Sequence, residues 1–207
     1  MIRLRISNFM QANISKKADD PKAKTYIPVS RLLARLGRKL HPILGDGNCF
    51  FRALSYIMYG TEDRHTSVRA SLVLFSELNA ESFKKYCTSS SFEEHIQCMK
   101  YERVFATQMH MEVHVAASCI QRMVYIYTQK RGCREYFWER FEPLPPCSLK
   151  SLPVEYRIEL HPHMVHLELC YINYCHYDVV TVYKFSIRTK AGSVSAHFWT
   201  CGLILIC

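Results

Sequence analysis

The stretch LGDGNCFFRAL, Leu44 to Leu54, sets a cysteine between a Gly-Asp-Gly-Asn turn and a run with helical character. From Cys49 to Tyr59 the chain carries Phe50, Leu54, Ile57 and Met58 at helical spacing, and it stops at Gly60, where a left-handed helix cap is expected. Free cysteine is among the most buried residue types, so a buried thiol is one reading of Cys49. A helix N-terminus supplies another: its unpaired N–H groups and dipole stabilise a thiolate at that position. The glycines also let the Asp46 to Cys49 loop fold tightly enough for its N–H groups to face a developing oxyanion.

A thiol nucleophile needs a base, and the base needs a group that orients it. His176 stands at the start of an expected strand in CHYDVV, with Asp178 two residues on. Residues i and i+2 of a strand project from one face, so Asp178 can hold one imidazole nitrogen and leave the other for the thiol. The order, cysteine first and histidine much later, is compatible with a Cys-His-acid site.

The rest of the chain gives this pair a setting. Its 207 residues, 49% of them hydrophobic, suit one core with flanking segments. The net charge of +9 is uneven: residues 1–40 hold ten Lys/Arg against two Asp, and the remainder is nearly neutral. Basicity therefore belongs to an N-terminal arm, read as a solvated leader, although such an arm can also contact nucleic acid or anionic lipid. Ten cysteines in a chain this long, without a small regular framework, favour a reduced, intracellular setting, cytoplasmic or nuclear. No signal-peptide core follows Met1, and the apolar tail from Val194 to Cys207 is shorter than the roughly 20 residues of a membrane helix.

Helices are expected over Pro28 to Leu40, with Ser30 as N-cap and Gly37 as stop, over Ser67 to Leu78, and from Ser91, whose partner Glu94 completes a capping box. A further helix is expected over Met109 to Met123. Strands are expected at Val124 to Thr128, and at Val165 to Ile172 with Val179 to Phe185 as a hairpin connected by NYCHYD. Gly132 to Pro153, which contains EPLPPC, reads as irregular surface chain. Helices first and strands second predict an α+β domain, with helices packed around a small, mostly antiparallel β-sheet.

DGNCFFRAL at Asp46 to Leu54, followed more than a hundred residues later by HYD at His176 to Asp178, resembles the ovarian-tumour-domain (OTU) cysteine proteases, most of which are deubiquitinases. The resemblance runs from about Leu40 to Phe185, and the segment Phe105 to Thr128 is similar to the family's middle helix and strand, with Phe105 where Trp is frequent. It implies a papain-like fold, Cys49 as nucleophile, His176 as general base, Asp178 as the orienting acid, and Asp46 as holder of an oxyanion-hole loop that includes Gly47 and Asn48. It also implies ubiquitin, polyubiquitin, ubiquitinated proteins or a ubiquitin-like modifier as partner, and a chemistry that needs neither metal nor organic cofactor. Cys175, directly before the expected base, departs from the small or polar residue expected there and adds a site for oxidation.

The expected organisation is thus a basic leader over 1–30, the protease-like domain over 31–185, and an apolar extension over 186–207. Two other functions remain open to the sequence: an OTU fold that holds ubiquitin with weak or no catalysis, and nucleic-acid binding through the basic arm. HMEVH at His110 to His114 places two histidines one helical turn apart, but Met111 occupies the place of the metalloprotease glutamate. HPHMVH at His161 to His166, with Cys170 and Cys175, fits no common zinc spacing.

Overall fold

The computed structural model describes residues 28–182, apart from 89–90, 104–108, 131, 134, 146–151, 159, 161 and 163, together with 188–189 and 192–193. The basic arm up to residue 27, the apolar tail from Val194 and Phe105 lie outside the described residues.

The fold is α+β, built on a five-stranded sheet. In chain order the elements are α1 (Val29–Arg35), β1 (Arg38–His41), α2 (Cys49–Tyr59), α3 (His65–Leu78), the short α4 (Ala80–Phe83), α5 (Phe92–Met99) and α6 (Met109–Ile120). There follow β2 (Met123–Gln129), β3 (Tyr136–Phe141), β4 (His166–Ile172) and β5 (His176–Val182). A separate two-stranded ladder pairs β6 (Arg188–Thr189) with β7 (Gly192–Ser193). The main sheet runs β1-β5-β4-β2-β3, and only the β2–β4 pair is parallel.

The helix α2 is the axis of the core. Cys49, Phe50, Phe51, Ala53, Leu54, Ser55, Ile57 and Met58 are all buried, far more than the one stripe read from periodicity. It packs between β5 on one side and α3 on the other, and Phe50 meets the ring of Tyr177 with centroids 4.9 Å apart. A helix apolar nearly all round belongs inside a domain, and this one ends at Gly60 with φ +74°, a left-handed cap that glycine adopts without a Cβ penalty.

Both faces of the sheet are covered. Leu167, Leu169, Val124, Ile126, Tyr177 and Val179 join the large core under α2, α3 and α6. On the opposite face α1 lays Val29 and Leu33 over Tyr127, Cys170 and Val180. Arg38 reaches across β5 to bind Glu168 of β4 with two parallel bonds of 2.8 and 3.0 Å, and His166 approaches the same carboxylate at 3.0 Å. Burial alone would push the Glu168 carboxyl up, but the bonds to His166 and Arg38 outweigh it and hold it below its ordinary range.

Several expectations change at the sheet. Tyr136–Phe141, inside the segment read as irregular, is the edge strand β3; only Phe141 of its six residues is buried, which leaves little alternation to read. The first helix stops before Gly37 (φ +68°), as expected, and Arg38–His41, where no strand is expected, is the opposite edge strand. Ser30 lies inside α1 and caps nothing; Pro28 is the N-cap, its carbonyl accepting from Arg31 and Leu32. The helix expected to run to Met123 stops at Ile120, because Gln121 turns left-handed (φ +52°) and Met123 starts β2. The capping box of Ser91 and Glu94 is formed as expected.

The hairpin connection is shorter than NYCHYD. Asn173 and Tyr174 both have positive φ (+52° and +58°), as a type I′ turn requires, and the Cys175 N–H returns to the Ile172 carbonyl at 3.2 Å. His176 and Asp178 are therefore strand residues, paired with Ile172 and Cys170 of β4. Val165 lies outside β4 and is 62% exposed.

At seven residues α1 is too short to be stable alone and owes its place to packing. Leu33→Ala removes its fully buried anchor, and we expect a loss of about 2–5 kcal/mol in urea denaturation, with the slope against urea unchanged.

Candidate active site

The edge pairing of β1 with β5 starts the site. His41 lies opposite Val179, and as the chain leaves β1 the Ile43 N–H donates to the Asp178 Oδ1 at 2.8 Å. The loop then runs past His176, so close that a Cβ on Gly45 would lie 3.6 Å from the ring's Nδ1 and Cε1. Four residues later it enters α2 at Cys49. A single sheet register thereby brings residues over a hundred positions apart to one place.

On β5, His176 Nε2 lies 2.9 Å from Asp178 Oδ1. The same oxygen takes the Ile43 N–H, and Asp178 is buried, so this carboxylate is held from two directions. The second histidine nitrogen is left for the Cys49 thiol, with which the ring also hydrogen-bonds. Cys49 Sγ lies 3.9 Å from the Cys175 carbonyl oxygen at the end of the hairpin turn. The bond to Asp178, and next that to Cys49, raise the His176 imidazole to about 10 against the opposing effect of burial.

The loop before Cys49 is held by charge. Asp46 accepts the Asn48 N–H at 2.9 Å, the Asn48 Nδ2 at 3.0 Å and the Arg52 guanidinium at 2.7–3.2 Å. Arg52 above all, with the bonds from Asn48, keeps the Asp46 carboxyl far below the usual carboxylate range despite burial. Glu62 extends the pairing, lying 3.8 Å from Arg52 and accepting the Leu44 N–H at 3.4 Å.

Asn48 is clamped as well. Its Oδ1 accepts from Arg69 at 2.7 Å and from the Arg103 N–H at 2.8 Å. Gly47 has φ +85°, and a Cβ there would meet the Arg103 carbonyl oxygen at 2.5 Å and its carbon at 2.6 Å. Both the backbone conformation and the space demand glycine.

All six residues singled out from sequence, Asp46, Gly47, Asn48, Cys49, His176 and Asp178, thus lie in one locality. One detail differs from the expectation that loop N–H groups face the cleft: the Asn48 N–H is bound to Asp46, so Asn48 serves through its side chain. Among the described residues no acceptor takes the N–H groups of Gly47 and Cys49, the turn's other donors. Arg52, Arg69 and Arg103 were not foreseen. Arg69 left the clearest trace, a cation directly beside Val68 on an otherwise apolar helix stripe.

Among the described residues no group of three or more His, Cys, Asp or Glu is arranged to hold a metal. His114 instead packs its ring against Tyr86 and Phe141, and His110 packs against Phe141; His161 and His163 lie outside the described residues. No helix among the described residues is long and apolar enough to cross a membrane.

The chain is similar to several known proteins. The family described as "Vertnin, OTU domain" matches residues 42–138. "OVARIAN TUMOR DOMAIN-containing deubiquitinating enzyme 7" of Arabidopsis thaliana is 34% identical over 91 residues, which is 44% of this chain. "UDP-N-acetylglucosamine transferase subunit ALG13" of Mus musculus is 24% identical over 181 residues, 87% of this chain. These matches span 24% and 13% of the two relatives' own lengths. The solved OTUD1 OTU domain superposes with a TM-score of 0.57 at 19% identity, covering 74% of this chain and 91% of that one. At that identity the likeness is one of fold.

Two outcomes follow from the geometry. Gly47→Ala forces a Cβ into the Arg103 backbone at a left-handed φ, and a stability loss of at least about 1–3 kcal/mol is expected by urea titration. The raised His176 value means that its pairing stabilises the fold fully below pH 6.5 and that this contribution is lost as pH rises through about 10. Imidazole NMR should accordingly place the His176 midpoint well above 6.5 in the wild type, and nearer 6.5 in Asp178→Asn.

Proposed function

We propose, from the premise that this chain carries an ovarian-tumour-type domain, that it is a cysteine-dependent deubiquitinase. The observation that carries the reading is the convergence of the Cys49 thiol with the His176–Asp178 pair at the N-terminus of a buried helix.

In this mechanism Cys49 Sγ attacks the carbonyl carbon of the modifier's C-terminal glycine. His176 takes the thiol proton and delivers it to the departing lysine ε-amine, leaving a thioester. Water then attacks the thioester carbonyl; His176 accepts its proton and returns one to the leaving sulfur. Asp178 keeps the ring oriented throughout, and the Gly47 and Cys49 N–H groups stabilise the oxyanion of each addition.

Ubiquitin as the acyl donor is supported by the name of the Arabidopsis relative and by access to the thiol. Cys49 is only 3% exposed, which favours a slender, glycine-ended acyl group over one with a bulky side chain. Polyubiquitin and ubiquitinated proteins inside the cell are the corresponding substrates.

The test is exposure of the purified chain to ubiquitin bearing a C-terminal electrophile. A covalent adduct is expected with the wild type and none with Cys49→Ala, and His176→Ala should lose about 10²–10⁴ in kcat on a ubiquitin C-terminal amide. Folded wild-type protein that forms no adduct and releases no amine would overturn the reading. Saturable ubiquitin binding without turnover would replace it with a binding module.

A further inference from the structure

Arg69 is 3% exposed, deep beneath the loop that precedes Cys49. Its hydrogen bonds among the described residues go to uncharged oxygens: Met99 O at 2.9 Å, Asn48 Oδ1 at 2.7 Å and Gly47 O at 3.4 Å. Among the described residues its Nε has no hydrogen-bond partner, and its guanidinium lies 4.0 Å over the Phe51 ring. A buried cation with an unmet donor and no directly paired carboxylate is costly to keep. Joining helices does not account for it, since an apolar residue of similar volume would pack α3 against α5 at lower cost.

The bonds themselves point to another role. The peptide between Gly47 and Asn48 is held at both ends: its carbonyl accepts from Arg69, and its N–H donates to Asp46 Oδ1. Arg69 also fixes the Asn48 side chain, whose Nδ2 returns to Asp46. With this peptide plane set, the orientations of the flanking Gly47 and Cys49 N–H groups follow. We propose that Arg69 is a positioning residue for transition-state stabilisation, anchoring the Gly47–Asn48 peptide so that the neighbouring N–H groups face the oxyanion. This rests on the thiol-protease reading for its chemistry, but the anchoring is measurable without catalysis.

Arg69→Lys keeps the charge yet loses the planar fork that reaches Met99, Gly47 and Asn48 together. On a fluorogenic ubiquitin C-terminal amide, kcat should fall roughly 10–10²-fold while KM stays within about 3-fold. Alkylation of Cys49 by iodoacetamide forms no oxyanion, so its rate should remain within about 3-fold. A residue that merely held helices together would instead change KM, alkylation and melting temperature alike. Hydrogen exchange across residues 46–49 should quicken at least 10-fold in the variant. If Arg69→Lys does not fold, Asn48→Ala removes the other end of the same contact and should give the same pattern.

A folded variant with wild-type kcat, or with unchanged exchange over 46–49, overturns the proposal. If the wild type itself does not cleave the amide, the enzyme reading falls, and the exchange measurement alone decides whether Arg69 anchors the loop.

Discussion

The 2.8 Å hydrogen bond from the Ile43 N–H to the Asp178 carboxylate is the constraint on which the site depends. It lies where the first strand lets go of the fifth, and it ties the loop leading to Cys49 to the residue that orients His176. Without the β1–β5 register there would be no reason for positions 43 and 178 to meet. Because the bond is buried, losing it strands the Ile43 amide and leaves Asp178 with His176 alone on that oxygen. The sheet therefore brings Cys49 and His176 to one place, and this contact ties the loop before Cys49 to the His176–Asp178 pair.

Around that contact the protein distributes its charge unevenly. Asp46 and Arg52 are paired and partly open to water, whereas Arg69 is enclosed and, among the described residues, hydrogen-bonded to neutral oxygens. Burial lowers the Arg69 guanidinium to about 10, still charged at neutral pH. The loop before Cys49 is thus suspended between an anion on one side and a cation on the other. His95 and Glu112, by contrast, are both buried and lie 3.2 Å apart in the core.

Much of this was legible in the sequence, and what was not has a physical cause. The helix from Cys49 could be bounded because glycine marks its end and the turn marks its start, and the capping box at Ser91 is a local code that tertiary contacts did not override. His176 and Asp178 could be paired from the two-residue strand period alone. Both edge strands escaped, since an edge strand with one or no buried residue shows no alternation, and Arg38–His41 declares itself only through its distant partner β5. The three arginines at the site escaped for a related reason: their partners lie 6, 21 and 55 residues away, Arg103 bonding through its backbone N–H, and bonds over such separations follow no sequence period.

The strand β5 is gripped on both faces, by α2 through Tyr177 and Val179 and by α1 through Val180. His176 is thus carried on a strand held from both sides. Under the proposed mechanism, the packing of α1 on Val180 would therefore bear on His176, four residues earlier on the same strand.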